Sequence, residues 1–101
     1  MKKSKLYIPH QKLVDFCKAH RIRRLALFGS VLREDFTPGS DVDVLVEFEI
    51  DARVGMIRLA ALENELSQLF GRKVDLNTPG FLSKYYRDRI LNEAEVQYDA
   101  A

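Results

Sequence analysis

The segment Asp41–Phe48 constrains the fold most strongly, because it begins as an alternation of acidic and apolar residues and continues with β-branched and aromatic ones. Side chains at positions i and i+2 of a strand lie on the same face. A strand here therefore places Asp41 and Asp43 together, with Val42 and Val44 on the opposite face. Two adjacent carboxylates repel each other unless a cation lies between them, and Mg²⁺ prefers such oxygen ligands. The alternative is a solvent-facing strand with two unrelated surface acids, which is the commoner origin of an isolated Asp-x-Asp.

Gly29 and Ser30 precede this acidic pair by ten intervening residues and directly follow the apolar run Arg24–Phe28. A strand that ends at Gly29 and a helical turn that begins at Ser30 present backbone N–H groups to phosphate oxygens. Glycine also lets a phosphate approach the main chain, because it has no Cβ. A Gly-Ser pair alone indicates only a turn. Combined with acids on the next strand, it supplies the second half of a metal–triphosphate site.

A third carboxylate, Asp75, stands between Val74 and Leu76 in the predicted short strand Lys73–Asn77. An acid flanked by apolar strand residues is costly to bury unless it has a partner or a function. If this strand lies beside the one that carries Asp43, Asp75 completes a carboxylate triad that could share a second metal ion. The alternative is an acid at a strand end that faces water.

The remaining pattern alternates helices with strands, which predicts a single α/β domain over residues 1–101 with helices packed on a small sheet. The predicted helices are Pro9–His20, Val54–Phe70 with its stop at Gly71, and Leu82–Glu93; the predicted strands are Arg24–Phe28, Asp41–Phe48 and Lys73–Asn77.

Composition excludes several classes of function. Sixteen basic and 15 acidic residues leave a net charge of +1, which is no signature of nucleic-acid binding. No apolar run approaches the ~20 residues that cross a bilayer, so we expect a cytoplasmic protein. The single cysteine, Cys17, is expected to be a buried small hydrophobe, and His10 and His20 to be exposed helix residues. Most late aromatic residues are expected to pack in the core; these are Phe81, Tyr85 and Tyr86.

Phe28-Gly29-Ser30 and Ser40-Asp41-Val42-Asp43-Val44-Leu45-Val46 together resemble the Gly-Ser-x10-Asp-x-Asp signature of the polymerase-β-type nucleotidyltransferase superfamily. Nearly the whole chain is similar to the minimal nucleotidyltransferase (MNT) domain proteins of bacteria and archaea, including Val74-Asp75-Leu76 and the tail of residues 86–94. The resemblance implies a polymerase-β palm-like fold, in which helices flank a small mixed sheet.

The resemblance also implies a chemistry: magnesium-dependent transfer of a nucleoside monophosphate, AMP from ATP, with release of pyrophosphate. The family pattern makes Asp41, Asp43 and Asp75 catalytic residues and ligands of two Mg²⁺ ions. It makes Gly29 and Ser30 nucleotide-binding residues, and Ser40, in the loop before Asp41, is included with them.

Arg33 falls where relatives commonly have an arginine. Many relatives have small residues around it, whereas this chain has Leu32 and Glu34. A surface ion pair with Glu34 or Asp35 is an equally good interpretation, so we do not count Arg33 among the catalytic residues.

MNT proteins as a group resemble the antitoxin half of toxin–antitoxin pairs whose toxin is a HEPN-domain ribonuclease. The resemblance implies that the chain attaches AMP to a tyrosine of such a toxin, in a hetero-oligomer or as a homodimer. Two alternatives stay open: a non-catalytic antitoxin that acts by binding its partner, and a nucleotidyltransferase for a small molecule or RNA.

Overall fold

The structure, a computed structural model, describes residues 8–33, 37 and 39–100, with the side chain of Phe81 left out. These residues form three α-helices, four strands and two short 3₁₀ turns. The helices are α1 (His10–Ala19), α2 (Met56–Phe70) and α3 (Arg87–Glu93); the strands are β1 (Ile22–Phe28), β2 (Val42–Phe48), β3 (Val74–Asn77) and β4 (Glu95–Asp99); the 3₁₀ turns are Gly29–Leu32 and Pro79–Phe81.

The four strands form one mixed sheet in the order β3-β2-β1-β4. Strand β1 is antiparallel to β2 and to β4, whereas β2 and β3 are parallel and are connected through α2. The expected small mixed sheet flanked by helices is thus confirmed.

The core lies between one face of the sheet and helices α1 and α2. Val42, Val44 and Val46 alternate along β2 on this face and are completely buried. Cys17 of α1 is also completely buried, as predicted from its helical spacing. Helix α2 ends at Phe70 and is capped by Gly71, whose φ of 67° is left-handed, which agrees with the predicted stop. The acidic side chains lie on the opposite face of β2.

The C-terminal part of the chain differs from the sequence prediction. Only residues from Arg87 onward in the predicted helix Leu82–Glu93 are helical. Strand β4, which was not predicted, follows at once and pairs with β1. Val96 and Tyr98 alternate with polar residues in this five-residue segment, which is the pattern of a strand, and pairing with β1 supplies its backbone hydrogen bonds.

Two expectations about side-chain burial are wrong. Tyr85 and Tyr86 are 91% and 59% exposed and do not pack in the core, while the side chain of Phe81 lies outside the described part. His20 is half-buried, with its Nε2 3.2 Å from Oε2 of Glu65 on α2, whereas His10 is exposed as expected.

None of the helices in the described part of the chain is both long and apolar enough to cross a membrane.

Candidate active site

Asp43 lies at the centre of the acidic site. The strand register pairs it with Asp75 on β3 and with Phe28 on β1. Because side chains alternate along a strand, Asp43 and Asp75 share the sheet face opposite the core. Asp41 directly precedes β2, two residues before Asp43, and belongs to the same face. The expectation that the strand of Asp75 lies beside that of Asp43 is confirmed.

Asp43 is partly buried and has more negative than positive charge around it. Partial burial raises the pKa of Asp43 above its ordinary value, and the neighbouring carboxylates of Asp75 and Asp41 raise it further. The guanidinium of Arg33 acts in the opposite direction. The ionised cluster is therefore unfavourable by itself, and a cation on this face would stabilise it.

A divalent cation fits the charge of the site, but a complete ligand cage is not preformed. Within residues 8–33, 37 and 39–100, no three or more His, Cys, Asp or Glu side chains are arranged so that they could hold an ion together. The carboxylates of Asp41 and Asp43 nevertheless supply the hard oxygen donors that Mg²⁺ takes, typically one or two from protein with the remainder from water and phosphate. The three-ligand set that includes Asp75 stays a prediction.

Gly29 lies so close to the Asp43 carboxylate that a larger residue there would displace the carboxylate or the turn. It begins the 3₁₀ turn after β1 with a φ of 77°, a conformation that favours glycine. A Cβ added at this position would lie 2.2 Å from Oδ2 of Asp43. The sequence argument assigned Gly29 to phosphate approach, and the structure adds a second requirement, which is space for Asp43.

Ser30 and Ser40 both contribute to the backbone arrangement before Asp41. The Ser30 hydroxyl lies 3.5 Å from the carbonyl oxygen of Asp41 and donates to it, which connects the turn after β1 to the start of β2. The Ser40 hydroxyl accepts the backbone N–H of Thr37 at 3.1 Å, and the Ser40 N–H donates to the Thr37 carbonyl at 3.0 Å. Ser40 therefore closes its own loop, and its contact with a nucleotide stays a prediction.

Lys73 is a neighbour of the site that the sequence argument did not select. Its backbone carbonyl accepts the N–H of Val42 at 2.8 Å, which places Lys73 across from Asp41, and its Nζ lies 4.0 Å from Oδ2 of Asp41. The only sequence signal was a cation two residues before Asp75.

Arg33 is exposed, and its backbone N–H donates to the Ser30 carbonyl at 2.9 Å. Its suggested ion-pair partners Glu34 and Asp35 lie outside the described residues.

Residues 10–96 match the family model described as the nucleotidyltransferase domain. The chain therefore belongs to the nucleotidyltransferase domain family, as the Gly-Ser turn and the acidic strand predicted.

Curated relatives narrow the comparison to small proteins of this family. A candidate protein adenylyltransferase from Methanocaldococcus jannaschii is 34% identical over 84 residues, which cover 83% of this chain and 88% of the relative. The protein adenylyltransferase MntA of Thermococcus cleftensis is 33% identical over 72 residues, which cover 71% of each protein.

Solved structures show the same fold. A candidate minimal nucleotidyltransferase superimposes with a TM-score of 0.69 at 32% identity, covering 84% of this chain and 85% of the other. A toxin–antitoxin structure with AMP-PNP has a TM-score of 0.74 at 17% identity, covering 91% and 74%. A complex of a tri-AMPylated HEPN toxin and an MNT antitoxin from Shewanella oneidensis has a TM-score of 0.66 at 17% identity, covering 89% and 69%.

Proposed function

We propose that the protein is a magnesium-dependent protein adenylyltransferase that transfers AMP from ATP to a tyrosine hydroxyl of a HEPN-domain toxin and thereby acts as its antitoxin. The observation that carries this proposal is the register that places Asp75 opposite Asp43, with Gly29 against the same carboxylate. Three carboxylates beside a turn that can bind phosphate suit nucleotidyl transfer and are not needed for binding alone.

The names of the relatives support the protein acceptor and the toxin partner. The Thermococcus cleftensis relative is a protein adenylyltransferase, and the Shewanella oneidensis complex contains an AMPylated HEPN toxin. The AMP-PNP in another neighbour supports an adenine nucleotide donor. Since the proposed reaction consumes ATP, we place the protein in the cytoplasm.

Each residue of the site has a specific task in this proposal. Asp41 and Asp43 would hold a first Mg²⁺, and Asp75 would share a second one with Asp43. Magnesium held there would neutralise phosphate charge and would lower the pKa of the acceptor hydroxyl. The N–H groups of the turn at Gly29 and Ser30 donate to triphosphate oxygens.

The proposed transfer breaks one bond and forms another. The acceptor oxygen attacks the α-phosphorus of ATP, the bond from that phosphorus to the bridging oxygen breaks, and pyrophosphate leaves with the electron pair. The acceptor proton passes to the exposed carboxylate of Asp75.

Transfer is tested directly with the purified protein, MgCl₂, ATP labelled in the α-phosphate and a HEPN protein encoded beside it. Label on a tyrosine of the HEPN protein is expected. Asp43→Asn should abolish the label, whereas Asp88→Asn, an exposed acid on α3, should leave it unchanged. Tight binding without label, which survives Asp41→Asn and Asp43→Asn, would instead establish a non-catalytic antitoxin. Label on RNA or on a small molecule alone would establish a different acceptor.

A further inference from the structure

Strand β3 lies at the edge of the sheet and is only four residues long. It pairs with β2 on one side, where the Val42 N–H also donates to the carbonyl of Lys73, the residue before β3. The N–H groups of Val74 and Leu76 point to the other side. Burial of the Val74 and Leu76 side chains favours one register of β3, but the outward backbone groups of an edge strand still need hydrogen-bond partners.

Two side chains of α2 accept both of these outward N–H groups. Oε2 of Glu63 accepts the Leu76 N–H at 2.8 Å. Oγ of Ser67 accepts the Val74 N–H at 2.9 Å and donates to the Glu63 carbonyl at 2.8 Å. All three hydrogen bonds are partly buried, so water competes less for them than for bonds at the surface.

The residue spacing along α2 matches the residue spacing along β3, which explains why both hydrogen bonds can form. Glu63 and Ser67 are four residues apart and lie on one face of the helix, separated by about 6 Å along its axis. Val74 and Leu76 are two residues apart in the strand, which is about 6.6 Å. Because α2 runs antiparallel to β3, Glu63 meets Leu76 and Ser67 meets Val74.

The two anchored residues, Val74 and Leu76, are the immediate neighbours of Asp75. We propose that Glu63 and Ser67 are positioning residues, which hold β3 in the register that keeps Asp75 opposite Asp43. A shift of one residue would turn Asp75 toward the core and bring an apolar side chain to the acidic face. The catalytic consequence rests on the proposed function, in which Asp75 acts on the acceptor hydroxyl.

The test compares Glu63→Ala with Glu63→Gln, whose amide oxygen can still accept the Leu76 N–H. The matched control is Glu65→Ala, which removes an exposed acid of the same helix that contacts His20. Hydrogen exchange at the Leu76 amide reports the anchor, and kcat and KM for ATP report its effect on catalysis. For Glu63→Ala we expect at least about tenfold faster exchange and about a tenfold lower kcat, because a misplaced Asp75 no longer meets the acceptor. KM for ATP should change little, since the proposed nucleotide-binding turn at Gly29 follows β1 and is not part of β3.

Glu63→Gln and Glu65→Ala should both stay close to the wild type. A Glu63→Ala protein with faster exchange but unchanged kcat would overturn the positioning role, and so would unchanged exchange. If Glu63→Ala does not fold, Ser67→Ala carries the same test at the Val74 amide. If the wild type transfers no label, the proposed function fails, while unchanged exchange at Leu76 in Glu63→Ala would separately refute the anchor.

Discussion

Replacing Gly29 by alanine places a methyl group 2.2 Å from Oδ2 of Asp43, and 3.1 Å from its Cγ. Real Cβ contacts essentially never come below 3.0 Å, so the carboxylate or the turn must move by about 0.8 Å or more. A displacement of about 1 Å in a catalytic group lowers activity by about 100-fold. We therefore expect Gly29→Ala to lower magnesium-dependent AMP transfer by about two orders of magnitude.

The same substitution also affects stability, and Gly71 provides a matched control. Both glycines have a left-handed φ, 77° at Gly29 and 67° at Gly71, and alanine costs about 1–2 kcal/mol in this conformation. A Cβ at Gly71 would meet no atom within 4 Å. Gly71→Ala should therefore lower the free energy of unfolding by the conformational cost alone and keep full activity.

The measurements are thermal unfolding followed by circular dichroism, titration of Mg²⁺ and ATP by calorimetry, and transfer of label. Gly29→Ala should lose both stability and transfer, whereas Gly71→Ala should lose only stability. In the double variant Gly29→Ala/Asp43→Ala the carboxylate that collides with the methyl group is gone, so the two effects on stability should be non-additive by about 0.5–3 kcal/mol. Equal transfer by the two glycine variants, or additive stabilities, would refute the inferred contact.

Four other substitutions test the charges and the core. Burial and two neighbouring carboxylates raise the pKa of Asp43, so its ionisation makes the metal-free protein less stable as pH rises. Asp43→Asn removes this charge and should raise the Tm by a few degrees at neutral pH. The reason is that each cross-strand pair of like charges costs roughly 0.2–1 kcal/mol. An unchanged or lower Tm in calorimetry with EDTA would contradict this reasoning. Burial raises the pKa of the Cys17 thiol from 9.0 to about 12. The stability due to the protonated thiol is therefore complete below pH 9 and is lost between about pH 9 and 12. Urea titrations across this range should show the loss of stability, and this loss should be smaller in Cys17→Ala. Iodoacetamide should also modify Cys17 of the native protein far more slowly than that of the urea-unfolded protein, and equal rates would argue against its burial. Leu66 of α2 is fully buried, so Leu66→Ala should lower the free energy of unfolding, measured by chemical denaturation, by about 2–5 kcal/mol. Ile57 lies on the same helix but is 90% exposed, so Ile57→Ala should change this free energy by less than about 0.5 kcal/mol.

Features that depend on neighbours along the chain could be predicted from the sequence. The alternation in Asp41–Phe48 predicted a strand with an acidic and an apolar face, and β2 begins one residue later at Val42. The helix predicted from apolar periodicity, with its stop at Gly71, is likewise present as α2. Such patterns are readable because helix and strand periods are set by local backbone geometry.

The sequence pattern was insufficient where an element depends on its partner. Strand β4 has the alternation of a strand, with Val96 and Tyr98 between polar residues, but it is only five residues long and, within the described residues, pairs with β1 alone. The helix predicted over Leu82–Glu93 is shortened to α3, and Tyr85 remains exposed although aromatic residues are commonly buried. The alternation in β4 was a local signal that the prediction missed, whereas nothing local marks the exposure of Tyr85.

The sequence by itself determined the ingredients of the site: a Gly-Ser turn, an acidic pair on one strand face and a third acid in a short apolar strand. Tertiary structure alone decided how they meet. The parallel pairing of β2 and β3 places Asp75 opposite Asp43, the antiparallel pairing of β1 and β2 brings Gly29 against the same carboxylate, and α2 anchors β3 at its outer edge. The physical reason is that pairing between strands far apart in the chain is chosen by the packing of the whole sheet, whereas the pattern of one strand specifies only its two faces.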